Sequence, residues 1–544
     1  MRKIIIILLV ICLLAGCHDL EPQQASRHVE ISQASYDITL LLENASISAI
    51  KVENYQGNVD DQEAIAKIIE DIIGSQTINV SAIAGHEEVS QSIMDNVALL
   101  LDELAIDPSL FINAEHVVDE KEKEHSYDDI VVGAGVAGLS AAIRLAQKGH
   151  KVLLLEKMPY AGGATYLSGG EIAVPMLDNE SLDPQAAFLQ DMYAGSSYTA
   201  DLAKLEKIAY NMDEVYQWLQ EDIDVEFHDV PYGVNEHSVD RINLPLERGK
   251  GLIEKMLAKA NALKVDIIYN SEATSLLYAN ERVQGVNVLN AKEEKATYLA
   301  KDKVVLATGG FAYNKELLLA NNTQWENLAE LNSTVPSGST GDGILMGMAV
   351  GADVIDMDKI QIYPFTNPAT GVNHYLDNVR TLNGAIWVNK DGERFVDEQA
   401  SRQVLSQAIL KQPEQTVYQV FNQRIYDATL GFSHIQETYE AALEQGVLFY
   451  CEELSACCLA AGISQKLVEE YTESGPYYVL LGKPSIHYTM GGLKTNERSQ
   501  VLDKKGEVIV GLYAIGEVVG GTFGENRLGA TSIDDALVNG YMIE

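Results

Sequence analysis

The segment YDDIVVGAGVAGLSAAIRLAQKGHKVLLLEK, from Tyr127 to Lys157, constrains the fold of this chain more than any other. Ile130 to Val132 read as a buried strand. Gly133, Gly135 and Gly138 read as a tight turn, Ala142 and Leu145 as one face of a helix, and a second strand ends at Glu156. A lone GxGxxG is common, but with a strand before it, a helix after it and an acid closing the next strand it makes a βαβ unit of Rossmann type. The glycines let a pyrophosphate approach the helix N-terminus, where unpaired amides and the helix dipole favour an anion. Glu156 is placed to accept hydrogen bonds from an adenosine ribose, and the expected class is α/β.

Further small-residue loops extend this surface. YAGGATYLSGGEIA (Tyr160 to Ala173) follows at once, KVVLATGGF (Lys303 to Phe311) adds a strand and a glycine turn, and GEVVGG (Gly516 to Gly521) closes the site near the end of the chain. Backbone lies against a flat ring system only where side chains are absent. Such scattered loops suit an extended FAD with a buried isoalloxazine, and no second GxGxxG is present for a nicotinamide. Reducing equivalents are therefore expected from another protein.

With 544 residues and 47% hydrophobic content, the chain can bury more than one core, so two to four domains are expected. The net charge of −40, from 79 acidic against 39 basic residues, argues against nucleic acid or an anionic membrane surface as a partner. It suits a well-solvated exterior, or the steering of a basic electron carrier.

The chain begins MRKIIIILLVICLLAGC, with a basic start, an apolar run from Ile4 to Leu14 and small residues before Cys17, which reads as an export signal. Leu14 to Cys17 resemble the lipobox of bacterial lipoproteins, in which the cysteine is diacylated and becomes the new N-terminus. The expectation is an exported protein, lipid-anchored through Cys17 to the outer side of the cytoplasmic membrane or in the periplasm. An ordinary cleaved signal or a short membrane anchor is the alternative. Beyond this leader only Cys451, Cys457 and Cys458 occur. Vicinal Cys457 and Cys458 do not easily pair with each other, and three cysteines leave at least one free. There is no CxxCH haem site and no spacing for an iron–sulfur cluster or zinc, so no metal is expected.

From residue 32 to 112 the pattern changes to a small α+β module. YDITLLLENASISAIKVENYQG reads as two strands around an Asn turn, and DQEAIAKIIEDII and EVSQSIMDNVALLLDEL read as amphipathic helices. It resembles the FMN-binding domain of exported flavin reductases, which attach FMN through a phosphoester to a threonine. The corresponding loop here is IAGHEEVS, with Glu87 about where that threonine belongs, so covalent FMN is not expected and the module is read as a docking or spacer domain. A charged, solvated tether over residues 113–126 separates it from the main body.

Residues 127 to 544 resemble the flavoprotein family of exported fumarate and urocanate reductases, related to succinate dehydrogenase flavoprotein subunits. The motifs that carry the resemblance are GAGVAGLSAA, GGATYLSGG, ATGGF, STGDGILMGMAVGA, NGAIWVNKDGERFVDE, IHYTMGG and GENRLGATSIDDA. It implies a Rossmann-type FAD-binding domain over 127–357 and 487–544, with an inserted α+β capping domain over 358–486. It also implies non-covalent FAD held by Gly133, Ala134, Gly135, Ala137, Gly138, Glu156 and Lys157, by Gly162, Gly163, Ala164, Thr165, Ser168, Gly169 and Gly170, and by Thr308, Gly309, Gly310, Asp342, Glu517, Ser532 and Ile533.

The family's chemistry is hydride transfer from flavin N5 to one alkene carbon of an α,β-unsaturated acid, with an arginine protonating the neighbouring carbon. The resemblance places that arginine at Arg402 and its proton relay at Asp377 and Arg380. His487 and Arg527 match the carboxylate-binding pair, a role to which their donor groups are suited. Fumarate reductases carry a histidine and a threonine where this chain has Tyr363 and Leu376, and losing a potential cation and a hydroxyl should weaken a dicarboxylate by several kcal/mol. Urocanate reductases share the tyrosine and place an aspartate where Asn378 stands. The expected substrate is therefore a 2-enoate with one carboxylate and a ring or apolar tail, urocanate narrowly ahead of an arylacrylate, reduced as a terminal acceptor in anaerobic respiration. A fumarate reductase, a dehydrogenase running in the oxidising direction and a non-enzymatic electron-transfer flavoprotein are the alternatives.

Overall fold

A computed structural model describes residues 23–104 and 125–544, apart from short stretches at 32–33, 44–45, 59–60, 76–77, 79, 81, 84–85, 232–236, 293, 374–375, 377–378, 381 and 430–434. The leader with Cys17, most of the charged tether, and the expected site residues Asp377 and Asn378 lie outside the described residues. The chain divides into two compact units, up to residue 117 and from 118 onward.

In the first unit, strands Gln23–Ile31, Ala34–Glu43 and Ser46–Gln56 form an antiparallel sheet in chain order. Strand alternation sends Tyr36, Ile38, Leu40 and Leu42 to one face, where helices Asp61–Ser75 and Glu87–Glu103 pack Ile68, Ile72, Ile93 and Val97 against them. The other face is polar: Asp37 pairs with His28 at 2.7 Å and accepts from Asn54 Nδ2 at 2.7 Å, and Ser26 meets Thr39 at 2.8 Å. The first of these strands lies before the expected start of the module at Ser32. QQASRHVEI offers only Ala25, Val29 and Ile31 as apolar positions, and the ladder from Gln23↔Leu42 to Ile31↔Ala34 is what makes it a strand.

The second unit is built on a sheet whose parallel core runs Asp266–Ile268, Val152–Leu155, Ser126–Val132, Lys295–Leu306. The long strand Lys295–Leu306 pairs antiparallel with Arg282–Asn290 through its first half and parallel with Val508–Ala514 through its second. Successive residues of the buried strands feed two cores. Ile130, Leu153 and Val304 pack on one side, and Val131, Leu154 and Val305 on the other, as expected of a parallel sheet covered on both faces. The final helix, Thr531–Tyr541, returns to the GxGxxG helix Val136–Gln147. A Cβ on Gly540 would stand 2.6 Å from Ser140 Cβ, so a glycine is required where these helices touch.

A second sheet centres on the long strand Tyr477–Thr489, which is antiparallel to Ile360–Thr366, Val417–Asn422 and Leu448–Cys451 and parallel to Asn332–Ser333. The expected cap boundary between 486 and 487 cuts this strand. Its ladder continues to Ile360↔Thr489 before Gly491 and Gly492 follow, and Asn332–Ser333, outside the expected cap, joins the same sheet. Helix Arg402–Leu410 covers one face through Leu405 and Ile409, and helix Leu454–Ala461 covers the other through Leu454, Cys457 and Cys458. Cys457 is disulfide-bonded to Cys451, and Cys458 is free and buried.

Candidate active site

One cavity of about 310 Å³ is lined both by the glycine-rich loops and by the polar side chains expected to handle substrate. At the Rossmann turn, glycine does two different jobs. A Cβ on Gly138 would lie 1.8 Å from Gly133 O, and one on Gly133 (φ +102°) would lie 2.4 Å from Ala307 O, so these positions hold strand, turn and helix together. A Cβ on Gly135 or Gly309 would meet open space, and both residues line the cavity. There the missing side chain leaves room for a ligand against the backbone.

Glu156 is almost fully buried, with Oε2 accepting from Ala134 N and Oε1 from Met158 N, both at 2.8 Å. Burial pushes its pKa up and those amides pull it back. Lys157 Nζ binds Asp342 Oδ2 and Thr340 Oγ1, each at 2.5 Å. Gly163, Ala164, Thr165, Ser168, Gly169 and Gly170 line the cavity from the second loop, and Ala137, Thr308, Glu517, Ser532 and Ile533 complete that wall. Of the expected cofactor residues, Ala134, Gly138, Gly162 and Gly310 stand behind it. Gly162 N donates to Ala134 O at 2.8 Å, and a Cβ on Gly310 would lie 2.3 Å from Glu517 Oε1. Burial raises the Glu517 pKa to about 7, although its Oε1 accepts from Thr489 N at 2.9 Å and from Thr489 Oγ1 at 3.1 Å.

The same cavity gathers Arg402, Tyr363, His487 and Arg527 from four separate parts of the chain. Arg402 opens helix Arg402–Leu410, whose N-cap is Ser401, and its guanidinium carbon lies 4.8 Å from the ring centre of Tyr363. The Tyr363 and His487 rings are 5.0 Å apart, and His487 Nδ1 is 2.7 Å from Thr334 Oγ1. Burial, then the charges of Arg527 and Arg402, hold the imidazole well below the ordinary histidine pKa, so it is neutral.

Arg527 is 3% exposed, donates from Nη1 to Leu528 O at 2.9 Å and from Nη2 to Gln361 Oε1 at 3.0 Å, and lies 4.8 Å over the Tyr488 ring. Burial first, then Arg402, lower its pKa to about 10, which leaves it charged at neutral pH. Among the described residues it forms no ion pair with a carboxylate. A buried guanidinium in a cavity that no carboxylate bridges is a receptor for an anion.

Two expected residues stand elsewhere. Leu376 is fully buried in a core with Phe365, Trp387 and Leu405 and does not line the cavity. Apolar character alone could not distinguish a pocket wall from the core beneath it. Arg380 is also off the cavity wall: it is 6% exposed, donates from Nη1 to Glu398 O and lies 5.7 Å over Trp387. Conversely, Glu171, Thr334 and Tyr488 line the cavity, and Gln361 supports Arg527, without having been singled out. Glu171 and Tyr488 lie inside YLSGGEIA and IHYTMGG, where the glycines and the histidine dominated the reading. Among the described residues, Asp129, His150 and Asp302 alone are grouped closely enough to share a metal ion, and Lys303 already pairs with both carboxylates.

The sequence profile of the FAD binding domain family matches residues 128–533. Urocanate reductase of Eggerthella lenta is 33% identical over 502 residues, covering 86% of this chain and 82% of that protein. The chain belongs to the FAD-dependent fumarate and urocanate reductase family. NADH:acrylate oxidoreductase of Vibrio harveyi is 28% identical over 88% of the chain, which spans just over half (56%) of that longer protein. The open conformation of a flavocytochrome c3 fumarate reductase superposes with a TM-score of 0.67 at 27% identity, covering 78% of this chain and 80% of that one. As a member of this family the protein is an FAD-dependent oxidoreductase, and the open backbone at Gly135 and Gly309, the helix N-terminus after Gly135 and the Glu156 carboxylate fit a dinucleotide.

Proposed function

We propose that this protein reduces the C=C bond of an α,β-unsaturated acid that carries one carboxylate and a ring with an N–H, urocanate foremost, using non-covalent FAD and electrons from an external flavin or haem carrier protein. The observation that carries the substrate class is Arg527, buried, charged and without a carboxylate partner among the described residues. A substrate carboxylate is its natural counter-ion, and neutral His487 adds a hydrogen bond to it. Tyr363 offers a flat aromatic wall, and Glu171 lines the same cavity within electrostatic reach of Arg527. Tyr363 supplies no charge to a second substrate carboxylate in this low-dielectric space, whereas it gives a ring an aromatic surface to lie against. Urocanate and acrylate, named for two of the relatives, each have one carboxylate.

FAD, when bound, supplies the hydride that adds to one alkene carbon. Arg402 gives the proton to the neighbouring carbon, a step made downhill by the high basicity of a carbanion next to a carboxylate. Arg527 and His487 stabilise the charge that develops on the carboxylate side as the alkene is reduced. Tyr363, 4.8 Å from the Arg402 guanidinium, keeps that side chain directed by a cation–π contact. The proton is restored to Arg402 through Asp377 and Arg380. Arg380 keeps Nε without a hydrogen-bond partner among the described residues, an N–H left for such a relay.

The protein works outside the cytoplasm as a terminal reductase in anaerobic respiration, anchored through lipidated Cys17. The basic and apolar leader supports this, and so does the Cys451–Cys457 disulfide, a bond that persists in oxidising compartments. No helix among the described residues is long and apolar enough to cross a membrane. The test is anaerobic oxidation of reduced viologen by the FAD-loaded protein with urocanate, cinnamate, acrylate or fumarate. Fast turnover with urocanate and little with fumarate is expected, and fumarate as the best substrate would overturn the reading of the pocket.

A further inference from the structure

We propose that Thr334 is a positioning residue whose hydroxyl donates its proton to Nδ1 of His487, fixing the imidazole tautomer that carries its N–H at Nε2 and offers it to the substrate carboxylate. The proposal rests on the reading of His487 as a carboxylate ligand and deepens it.

Thr334 and His487 both line the cavity, and Thr334 Oγ1 lies 2.7 Å from His487 Nδ1. Among the described residues Nε2 has no hydrogen-bond partner, and it is not sealed in the interior, so it opens on the cavity. The ring is neutral, because a second positive charge beside Arg527 and Arg402 in a buried site is too costly. A neutral imidazole carries one proton, and which nitrogen holds it is set by the bond the other makes.

Two arrangements satisfy a 2.7 Å contact. If Nδ1 donated to Thr334, the hydroxyl proton would find no acceptor among the described residues, and Nε2 would present a lone pair to the substrate carboxylate. If Thr334 donates, Nδ1 is satisfied as an acceptor and Nε2 becomes the donor that a carboxylate needs. A backbone carbonyl at this place could only accept and would impose the wrong tautomer, so a hydroxyl is the right group here. Thr334 is itself fixed by its backbone N–H, which donates to Ile486 O at 2.9 Å, on the residue before His487.

The experiment uses the full holoenzyme, with 15N-labelled histidine and with imidazolepropionate, the saturated product expected from urocanate, as the probe. In the wild type, His487 Nδ1 is expected to be unprotonated and hydrogen-bonded, with Nε2 protonated. Thr334→Val should weaken probe binding about tenfold, the size of one lost hydrogen bond, and Thr334→Ser should restore both affinity and the nitrogen signature. Binding is read from the perturbation of the flavin absorbance. A protonated Nδ1 in the wild type, or a Thr334→Val affinity equal to wild type while His487→Ala weakens binding, would overturn the role of Thr334. An unchanged affinity in His487→Ala would instead remove the carboxylate role of His487 on which the proposal rests, and with it the proposal.

Discussion

The Arg402 guanidinium and the Tyr363 ring form a face-on pair at 4.8 Å, and Tyr363 in turn stands 5.0 Å from His487. One aromatic ring thus touches both the expected proton donor and an expected carboxylate ligand. Replacing Arg402 by Ala removes the donor and leaves the FAD loops untouched. Turnover is expected to fall by about 10³-fold, the middle of the range for positioned acid–base groups, while the flavin content per protein is unchanged. Viologen oxidation and the flavin absorbance of the purified variant check this, and retained turnover removes Arg402 from the chemistry.

Arg527 is the residue on which the anion reading depends. Arg527→Met deletes a charge that has no carboxylate partner among the described residues, but it strands Gln361 Oε1, which accepts from Nη2 at 3.0 Å. Binding of a saturated acid should weaken about 100-fold, in line with two charge-assisted hydrogen bonds of about 1.5 kcal/mol each. Titration of the flavin spectrum with the acid measures it. A change in thermal stability without a change in affinity would mark Arg527 as structural.

Glu171 should temper the attraction of Arg527 for an acid. Glu171→Gln keeps the shape and removes a negative charge that acts on Arg527, so binding of a saturated acid is expected to tighten about fivefold, the size of ~1 kcal/mol of charge interaction. An unchanged affinity in the flavin titration would mean that Glu171 does not act on the bound acid.

The FAD half of the molecule was legible because its constraints are local. Gly138 is demanded by a contact with Gly133 in the same turn, and Glu156 binds the amide of Ala134 across adjacent strand ends, both inside one βαβ unit, although Gly133 itself is demanded by the distant Ala307. Arg402, His487 and Arg527 were legible only through the family motifs, since nothing local brings residues so far apart in the chain to one cavity. Leu376 shows where such motifs stop: its position along the chain matched a pocket residue, but its side chain joins Phe365 and Trp387 in a buried core. Glu171, Gln361 and Thr334 were missed because an acid, an amide and a hydroxyl gain their meaning from Arg527 and His487, and those partners are supplied by other strands. The strand Gln23–Ile31 was missed for a related reason, its weak alternation being completed by hydrogen bonds to Ala34–Glu43.

Glu517 links the cofactor loop to pH. Burial lifts its carboxyl from an ordinary 4.5 to about 7 in the folded protein. Below pH 4.5 the folded and unfolded chains both hold the proton, and Glu517 costs nothing. Between 4.5 and 7 the unfolded chain releases the proton while the folded one keeps it, so stability falls as pH rises. Above 7 the loss is constant, about 3 kcal/mol at 1.36 kcal/mol per pKa unit. Asp535, raised to about 6 by burial, acts in the same direction, so some pH dependence survives without Glu517. Glu517→Gln retains an oxygen able to accept from Thr489 N and Oγ1 and removes the ionisation. The variant should therefore match wild type in Tm at pH 4.5 and exceed it at pH 8, in FAD-free protein where no ligand linkage intrudes. Equal Tm values at both pH values would mean that Glu517 ionises normally and that its contacts with Thr489 outweigh its burial.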